Sequence, residues 1–121
     1  MSERVVVTGL GTINPLSDNV KDFWESLISL KNGIKEISHF DTSDFKTKLA
    51  AEIRVDLNNY FNKKELNKID RFTSFALIAS EQAINDAKIN NKLDKNRIGV
   101  ILGSGIGGIN TLEKQHSRLL K

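Results

Sequence analysis

The sequence has 121 residues, of which 39% are hydrophobic and 27% are charged, with a net charge of +3. This composition is typical of a globular domain, and no apolar run approaches the roughly 18 residues that a membrane span needs. The basic residues are mostly scattered lysines rather than an arginine-rich stripe interleaved with aromatics, which argues against nucleic-acid binding.

The sequence contains no cysteine, so it offers no disulfide, thiolate nucleophile or thiolate metal ligand. Its N-terminus leads directly into an apolar segment and has neither the h-region nor the cleavage site of a secretory signal. We therefore expect a cytoplasmic protein, and the length suits one domain.

The N-terminal part predicts a strand followed by an amphipathic helix. Residues 5–8 form a β-branched run, which is typical of a strand buried on both faces of an α/β sheet. Apolar residues at helical spacing predict a helix over residues 20–28, with Ser17 or Asp18 as its N-cap. The dipeptide Asn32-Gly33 is expected to provide the left-handed stop.

The middle of the chain predicts one strand and two helices. Only residues 49–55 alternate as a strand does in the irregular stretch that follows the first helix. A short basic helix is expected over residues 63–69, and Asp70 is placed to cap a longer helix over residues 71–88. One face of that longer helix is rich in alanine, which implies close packing against a sheet.

The C-terminal part predicts a polar loop, a second buried strand and a last helix. The loop opens at Asn90 and Asn91, the strand covers residues 98–102, and the helix starts near Ile109. Strands that alternate with helices indicate an α/β sheet with helices on both faces.

Two glycine-rich loops follow the predicted strands, at residues 9–14 and 103–108. The second loop has the spacing G-x-G-x-x-G between a strand and a helix, which is the context of a dinucleotide-binding loop. The first loop fails this test because Asn14 stands where the third glycine should be. Glycines that let a strand turn beneath a packed helix are the simpler interpretation, and nucleotide binding is the alternative.

Seven segments carry a further pattern in their order and spacing. They are Val-Val-Val-Thr-Gly-Leu-Gly at 5–11, Asn-Pro-Leu at 14–16, Phe-Trp at 23–24, Gly-Ile at 33–34, His-Phe-Asp-Thr-Ser at 39–43, Lys-Ile-Asp at 68–70 and Gly-Ser-Gly-Ile-Gly-Gly at 103–108. Together they resemble the opening of the β-ketoacyl-acyl carrier protein synthases, and within them synthase II. The resemblance covers about a third of such an enzyme, so residues 1–121 are expected to be an incomplete N-terminal segment of its N-terminal domain.

This resemblance implies a fold and a reaction. The fold is α/β and thiolase-like, and this chain would form the N-terminal portion of its first half, a mixed sheet flanked by helices. The family elongates acyl chains by decarboxylative Claisen condensation, with acyl and malonyl thioesters as substrates, an acyl carrier protein as partner, a homodimeric assembly and no cofactor. Its catalytic cysteine and two histidines have no counterpart here, so the chain alone is expected to be inactive. It is also expected to fold poorly, because its buried strands would lack neighbours.

His39 and His116 are not assigned to the missing catalytic positions. They are 77 residues apart with no cysteine between them, and His116 falls on the apolar side of the last helix, where a packed or helix-end histidine is usual. Several aspartates are interpreted as loop and cap residues, because nothing in the sequence brings two of them together as an acid and base pair: Asp41, Asp44, Asp56 and Asp70.

Three residues carry over from the family with a physical reason. Ile106 matches the glycine-flanked apolar residue that lines the acyl pocket, and the alternative is an apolar turn residue in the core. Lys64 and Lys68 match positions that help to dock the acidic carrier protein, although Asn67 replaces a basic residue often found between them. The alternative for both lysines is a solvated charged face. A non-catalytic partner subunit such as a chain-length factor is the remaining alternative for the whole protein.

Overall fold

The computed structural model of the protein describes residues 3–89 and 93–121. The polar loop predicted at Asn90 and Asn91 lies outside the described residues. The elements are the helices α1 (Val20–Ile28), α2 (Lys63–Leu66), α3 (Arg71–Asp86) and α4 (Ile109–Leu119), the strands β1 (Lys35–Glu36) and β2 (Leu49–Ala50), and 3₁₀ turns at Leu57–Asn59 and Lys95–Arg97.

The N-cap of α1 differs from the prediction. Asn19 caps the helix, because its side-chain oxygen accepts the N–H of Asp22 at 2.9 Å. Ser17 is engaged elsewhere, since its hydroxyl donates to the carbonyl of Asn19 at 2.9 Å. The prediction of Ser17 or Asp18 as the cap is therefore wrong by one or two residues, although the predicted helix itself is confirmed.

Helices α1 and α3 end in the same way, on a non-glycine residue in the left-handed region. Leu30 has φ 56° and Lys88 has φ 53°. The N–H of Lys31 then donates to the carbonyl of Ser26 at 2.9 Å, which is the six-residue bond of a Schellman motif. The predicted stop at Asn32-Gly33 is therefore wrong, because the chain turns at Leu30, before it reaches the glycine.

The sheet is smaller than the sequence predicts. Strands β1 and β2 pair antiparallel, with Lys35 opposite Ala50 and Glu36 opposite Leu49. The strand predicted over residues 49–55 is thus confirmed only in its first two residues. Helix α2 begins where predicted, with a capping box between Asn62 and Glu65, but it is shorter than predicted and ends at Leu66.

The two apolar runs predicted as buried strands are not strands in this structure. Residues 5–8 and 98–102 carry no ladder pairing within the described chain. Their side chains lie in solvent, with Val5 92% and Ile101 98% exposed. A strand forms only where a second segment satisfies its N–H and carbonyl groups, and the described residues supply no such partner for either run.

Little of the chain is buried. Ile78, 2% exposed, is the one buried apolar side chain among residues 3–89 and 93–121. The chain of 13.5 kDa exposes 10731 Å², whereas a compact monomer of that mass exposes roughly 6,500 Å². The apolar side of α4 is also open, with Leu112 64% and Leu119 83% exposed. No helix of the described residues combines the length and hydropathy needed to cross a bilayer.

Candidate functional site

The first glycine loop lies directly against the backbone of α3. A Cβ added to Gly9 would stand 2.2 Å from the carbonyl oxygen of Ala83, and one added to Gly11 would stand 1.9 Å from that of Ala79. Only glycine allows so close an approach. The close packing predicted for the alanine face of α3 is confirmed, but its partner is this loop and not a sheet.

Polar side chains of α3 bind the backbone of the same loop. Asp86 Oδ2 accepts the N–H of Leu10 at 2.9 Å, and Gln82 Oε1 accepts the N–H of Thr12 at 3.1 Å. Both donors are therefore occupied, one of them by a carboxylate. A phosphate would have to displace an acidic group, so this loop is not an anion-binding loop.

Among the glycines of the second loop, only the last two have close neighbours where a Cβ would stand. An added Cβ would find no described atom within 4 Å at Gly103 or Gly105. Gly107 has φ +74° and lies against Phe72, whose ring atoms would be 3.5 Å from its Cβ. The positive φ makes glycine the favoured residue at position 107.

A carboxylate also occupies the end of this loop, at the first turn of α4. Asp70 Oδ2 lies 2.6 Å from where a Cβ on Gly108 would stand, and the carboxylate accepts a hydrogen bond from the hydroxyl of Thr111. Asp70 is the N-cap residue of α3 but makes no side-chain bond to that helix, so its predicted capping role is wrong in this respect. An acid here would repel a phosphate at the N-terminus of α4, which disfavours the nucleotide-binding alternative.

The two glycine loops flank a cavity on the apolar face of α3. The cavity has a volume of about 510 Å³ and is lined mainly by apolar and small groups from α3 and both loops: Gly11, Thr12, Ile13, Phe72, Thr73, Phe75, Ala76, Ala79, Leu102, Gly103 and Ser104. Ile106 is not among them, and its side chain is 80% exposed. Its assignment to an acyl pocket stays a prediction.

Lys64 and Lys68 are both exposed, but one helix does not carry them both. Lys68 lies beyond the end of α2, in a tighter turn where its N–H donates to the carbonyl of Glu65 at 2.9 Å. Four residues apart on the helix expected over residues 63–69, Lys64 and Lys68 would share one face, but that helix ends at Leu66 and so does not set them on one face. Their docking role stays a prediction that depends on their charge and exposure.

Other basic groups lie near this segment. Arg71 stacks 5.1 Å from the ring centre of Phe75 and donates to the carbonyl of Ile53. With Lys114 and Arg118 of α4, it also lines a groove of about 470 Å³. The sequence did not predict that α4 adds basic groups to this groove, because the spacing of residues within one helix does not show which other helix lies beside it.

Glu52 makes the densest set of polar contacts around β1 and β2. Its carboxylate accepts the N–H of Ser38 at 3.0 Å, the Ser38 hydroxyl at 2.8 Å and a guanidinium hydrogen of Arg54 at 3.2 Å. The hydroxyl of Ser38 is the foremost of several donors that lower the pKa of Glu52 from 4.5 to about 2. Its side chain is 7% exposed. The sequence marked Glu52 only as an alternating polar residue of a strand.

The two histidines do not form a catalytic group. His39 Nε2 lies 3.9 Å from Glu52 Oε1, and His116 is exposed in the last turn of α4, which agrees with a helix-end role and not with a packed one. Across residues 3–89 and 93–121, no group of three or more His, Cys, Asp or Glu side chains could hold a metal ion.

Two of the four aspartates act locally, as the sequence predicted. Asp41 accepts the N–H of Ser43 at 3.0 Å, and Asp56 accepts that of Asn58 at 3.0 Å. These backbone bonds are the main reason that the pKa of each carboxyl lies below its usual value. The interpretation of Asp41 and Asp56 as turn and cap residues is confirmed.

Comparison with known proteins covers nearly the whole chain. The family model described as "Beta-ketoacyl synthase, N-terminal domain" matches residues 2–120. The chain is 45% identical over 120 residues to 3-oxoacyl-[acyl-carrier-protein] synthase 2 of Synechocystis sp. strain PCC 6803, and 39% identical over 121 residues to the synthase 2 of Staphylococcus aureus strain COL. Each match covers 98% of this chain and 29% of the relative, so the chain spans less than a third of the relatives' length.

Two solved structures share the fold. One is the ishigamide ketosynthase/chain length factor, with a TM-score of 0.71 and 24% identity over 94% of this chain and 30% of that one. The other is a type II polyketide synthase acyl-carrier protein in complex with its ketosynthase bound to the hexaketide, with a TM-score of 0.71 and 28% identity over 98% of this chain and 32% of that one. These neighbours are thiolase-like, which confirms the predicted fold class.

Proposed function

Since this chain belongs to the family of β-ketoacyl synthase N-terminal domains, we propose that its full-length protein is a 3-oxoacyl-acyl carrier protein synthase II of fatty-acid biosynthesis. The observation that carries this proposal is the 45% identity to a curated synthase 2 across 98% of the chain. The proposed substrates are an acyl thioester and malonyl-acyl carrier protein. The proposed enzyme is a cytoplasmic homodimer that needs no cofactor.

The proposed reaction is a decarboxylative Claisen condensation. A cysteine thiolate attacks the acyl thioester, forms the acyl-enzyme and releases the thiol of the first carrier. The malonyl group then loses CO₂, and the resulting enolate carbon attacks the acyl-enzyme carbonyl. A carbon–carbon bond forms, the 3-oxoacyl product leaves on the carrier protein, and the thiolate is regenerated. This chain contains no cysteine, so the nucleophile must come from the rest of the protein.

The exposed apolar surface supports the proposal that this chain packs against the rest of the protein, which supplies the nucleophile. Residues 5–8 and 98–102 present β-branched side chains to solvent, and large exposed apolar areas mark surfaces that another protein segment covers. In the proposed enzyme both runs would pair within the mixed sheet of the thiolase-like fold. The chain would then serve as a scaffold beside the catalytic residues.

The test is to purify the full-length protein and assay condensation of an acyl-carrier protein with malonyl-carrier protein. We expect CO₂ and 3-oxoacyl-carrier protein as products, and no product from residues 1–121 alone. A full-length protein without a nucleophilic cysteine would favour the chain-length-factor alternative. Saturable nucleotide binding without condensation would favour a binding domain instead.

We further propose that Ile106 lines the acyl pocket of this enzyme. Its support is its position between Gly105 and Gly107 in a loop that matches the family's pattern. In the full-length enzyme, Ile106→Phe should shorten the acyl chains that are accepted, because a ring fills pocket depth. Ile106→Leu, with the same number of carbons, is the control and should change the preference little. Equal loss of activity on long and short chains would show that Ile106 is structural.

We also propose that Lys64 and Lys68 help to dock the acidic carrier protein. Their exposure supports this, and Lys114 and Arg118 add positive charge along the neighbouring groove. Exposed charges of this kind steer encounter more than they set final affinity. Reversal of both lysines to Glu should raise the KM for acyl-carrier protein, and should leave activity on small thioesters unchanged.

The same charge change at another exposed surface provides the control for this test. Lys21→Glu with Lys31→Glu, both on the α1 side, should leave the KM for the carrier protein near its original value. The defect of the docking variant should also shrink with added salt, because exposed charges are already screened over about 8 Å at physiological ionic strength. An equal effect on carrier-bound and small thioesters would remove the docking role.

A further inference from the structure

Asp70 is the N-cap residue of α3, but its side chain contacts α4. An aspartate at an N-cap usually accepts a backbone N–H of its own helix, but Asp70 makes no such bond to α3. Its carboxylate instead accepts the hydroxyl hydrogen of Thr111, in the first turn of α4, and lies against Gly108. The side chain therefore joins the start of α3 to the start of α4.

This link lies at the C-terminal end of the second glycine loop, where the last two glycines have close neighbours. Gly107 lies against Phe72 of α3 and Gly108 against Asp70, whereas Gly103 and Gly105 have no described neighbour within 4 Å of an added Cβ. Ile106 comes directly before these two anchored glycines. The contacts of Gly107 and Gly108 therefore constrain the backbone that follows Ile106.

We propose that Asp70 is a positioning residue that acts through Thr111 and Gly108 to hold Ile106 at a fixed depth in the acyl pocket. The inference rests on the proposed function, since it assigns to Asp70 an effect on the length of the acyl chain accepted. A carboxylate suits this place because negative charge is favourable at the first turn of a helix. The absence of a side chain at Gly108 lets the carboxylate approach.

The first test measures kcat/KM of the full-length enzyme for long and short acyl-carrier proteins. Thr111→Val, which removes the hydroxyl but keeps the shape, should change the long-to-short ratio several-fold, and Asp70→Ala should change it in the same direction. Thr111→Ser restores the donor and should restore the ratio. Asp86→Ala is the matched control, because Asp86 binds the first glycine loop in a comparable way. It should leave the ratio unchanged.

The second test is amide hydrogen exchange over residues 103–108 of the full-length protein. Exchange there should rise in Thr111→Val and Asp70→Ala and return to the original rate in Thr111→Ser. If Asp70→Ala does not fold, Asp70→Asn, which keeps an acceptor oxygen but loses the charge, replaces it and should show a smaller rise.

The outcomes separate this inference from the function on which it rests. If Ile106→Phe shifts the chain-length preference but the Thr111→Val and Asp70 variants do not, the positioning role is overturned and the proposed function stands. If the unmodified protein does not condense thioesters, the proposed function and the effect on chain length are both overturned. Loop exchange unchanged in both variants would overturn the anchor itself.

Discussion

The contact between the first glycine loop and α3 predicts a large effect of Gly11→Ala. The added methyl carbon would stand 1.9 Å from the carbonyl oxygen of Ala79 and 2.9 Å from the nitrogen of Ala83. Ordinary contact begins at 3.4 Å, so the loop must retreat by about 1.5 Å. These neighbours are backbone atoms of a helix, which cannot rotate out of the way as a side chain can.

The size of the destabilisation follows from the hydrogen bonds that a retreat of the loop would lengthen or break. The bond between Thr12 N and Gln82 Oε1 is 3.1 Å long and would pass out of hydrogen-bonding range. Its loss costs about 1 kcal/mol, and strain on the bond from Leu10 to the charged Asp86 adds up to about 2 kcal/mol. Overpacking contributes a further 1–3 kcal/mol or so. The local free energy of opening should therefore fall by about 3 kcal/mol or more.

Amide hydrogen exchange of the full-length protein measures this change. A loss of about 3 kcal/mol corresponds to exchange roughly a hundredfold faster in the peptides that cover the loop and α3, provided that they exchange by local opening. Gly103→Ala is the control, because no described atom lies within 4 Å of its added Cβ. If Gly11→Ala and Gly103→Ala exchange alike, the loop does not press on α3 and the reasoning is wrong.

Two further changes test the helix ends and the β1–β2 region. Leu30→Gly should raise the denaturant midpoint, by an amount that corresponds to about 1 kcal/mol of the free energy of unfolding. Leu30 holds a left-handed φ of 56°, and its side chain is 90% exposed, so the change loses no buried surface. An unchanged or lower midpoint would contradict this. Because the pKa of Glu52 is lowered, the ionised carboxylate stabilises the folded state fully above the ordinary pKa of 4.5, and this stabilisation is lost as the pH falls towards about 2. The protection of the Ser38 amide, taken relative to its intrinsic exchange rate at each pH, should therefore fall over that range. Glu52→Gln should remove this pH dependence, and a Ser38 protection that acid does not change would exclude the stabilising role of Glu52.

The helices were predictable because their signals are local. Apolar spacing of three and four residues and polar caps predicted α1, α3 and α4 with small errors at their ends. Those errors have physical causes. Ser17 was a reasonable cap, but its hydroxyl is bonded to the carbonyl of Asn19. Leu30 was not expected in a left-handed conformation, which usually falls to glycine.

The candidate site was predictable only where a motif carried it. The spacing of the second glycine loop drew attention to Ile106, and the charge of Lys64 and Lys68 marked them in the sequence. The partner of each loop was not visible in this way. Asp70 and Glu52 form their decisive contacts with groups 41 and 14 residues away, at Thr111 and Ser38.

By itself, the sequence determined the helical segments, the glycine positions, the absence of a cysteine nucleophile and the family resemblance, because each depends on residue types and short spacings. Only the tertiary structure decided that α3 meets a glycine loop instead of a sheet and that carboxylates occupy both loops. It also decided that residues 5–8 and 98–102 do not pair as strands with other described residues. Strand pairing and packing depend on segments that lie far apart along the chain or on other parts of the fold, and no local pattern encodes which of them will meet.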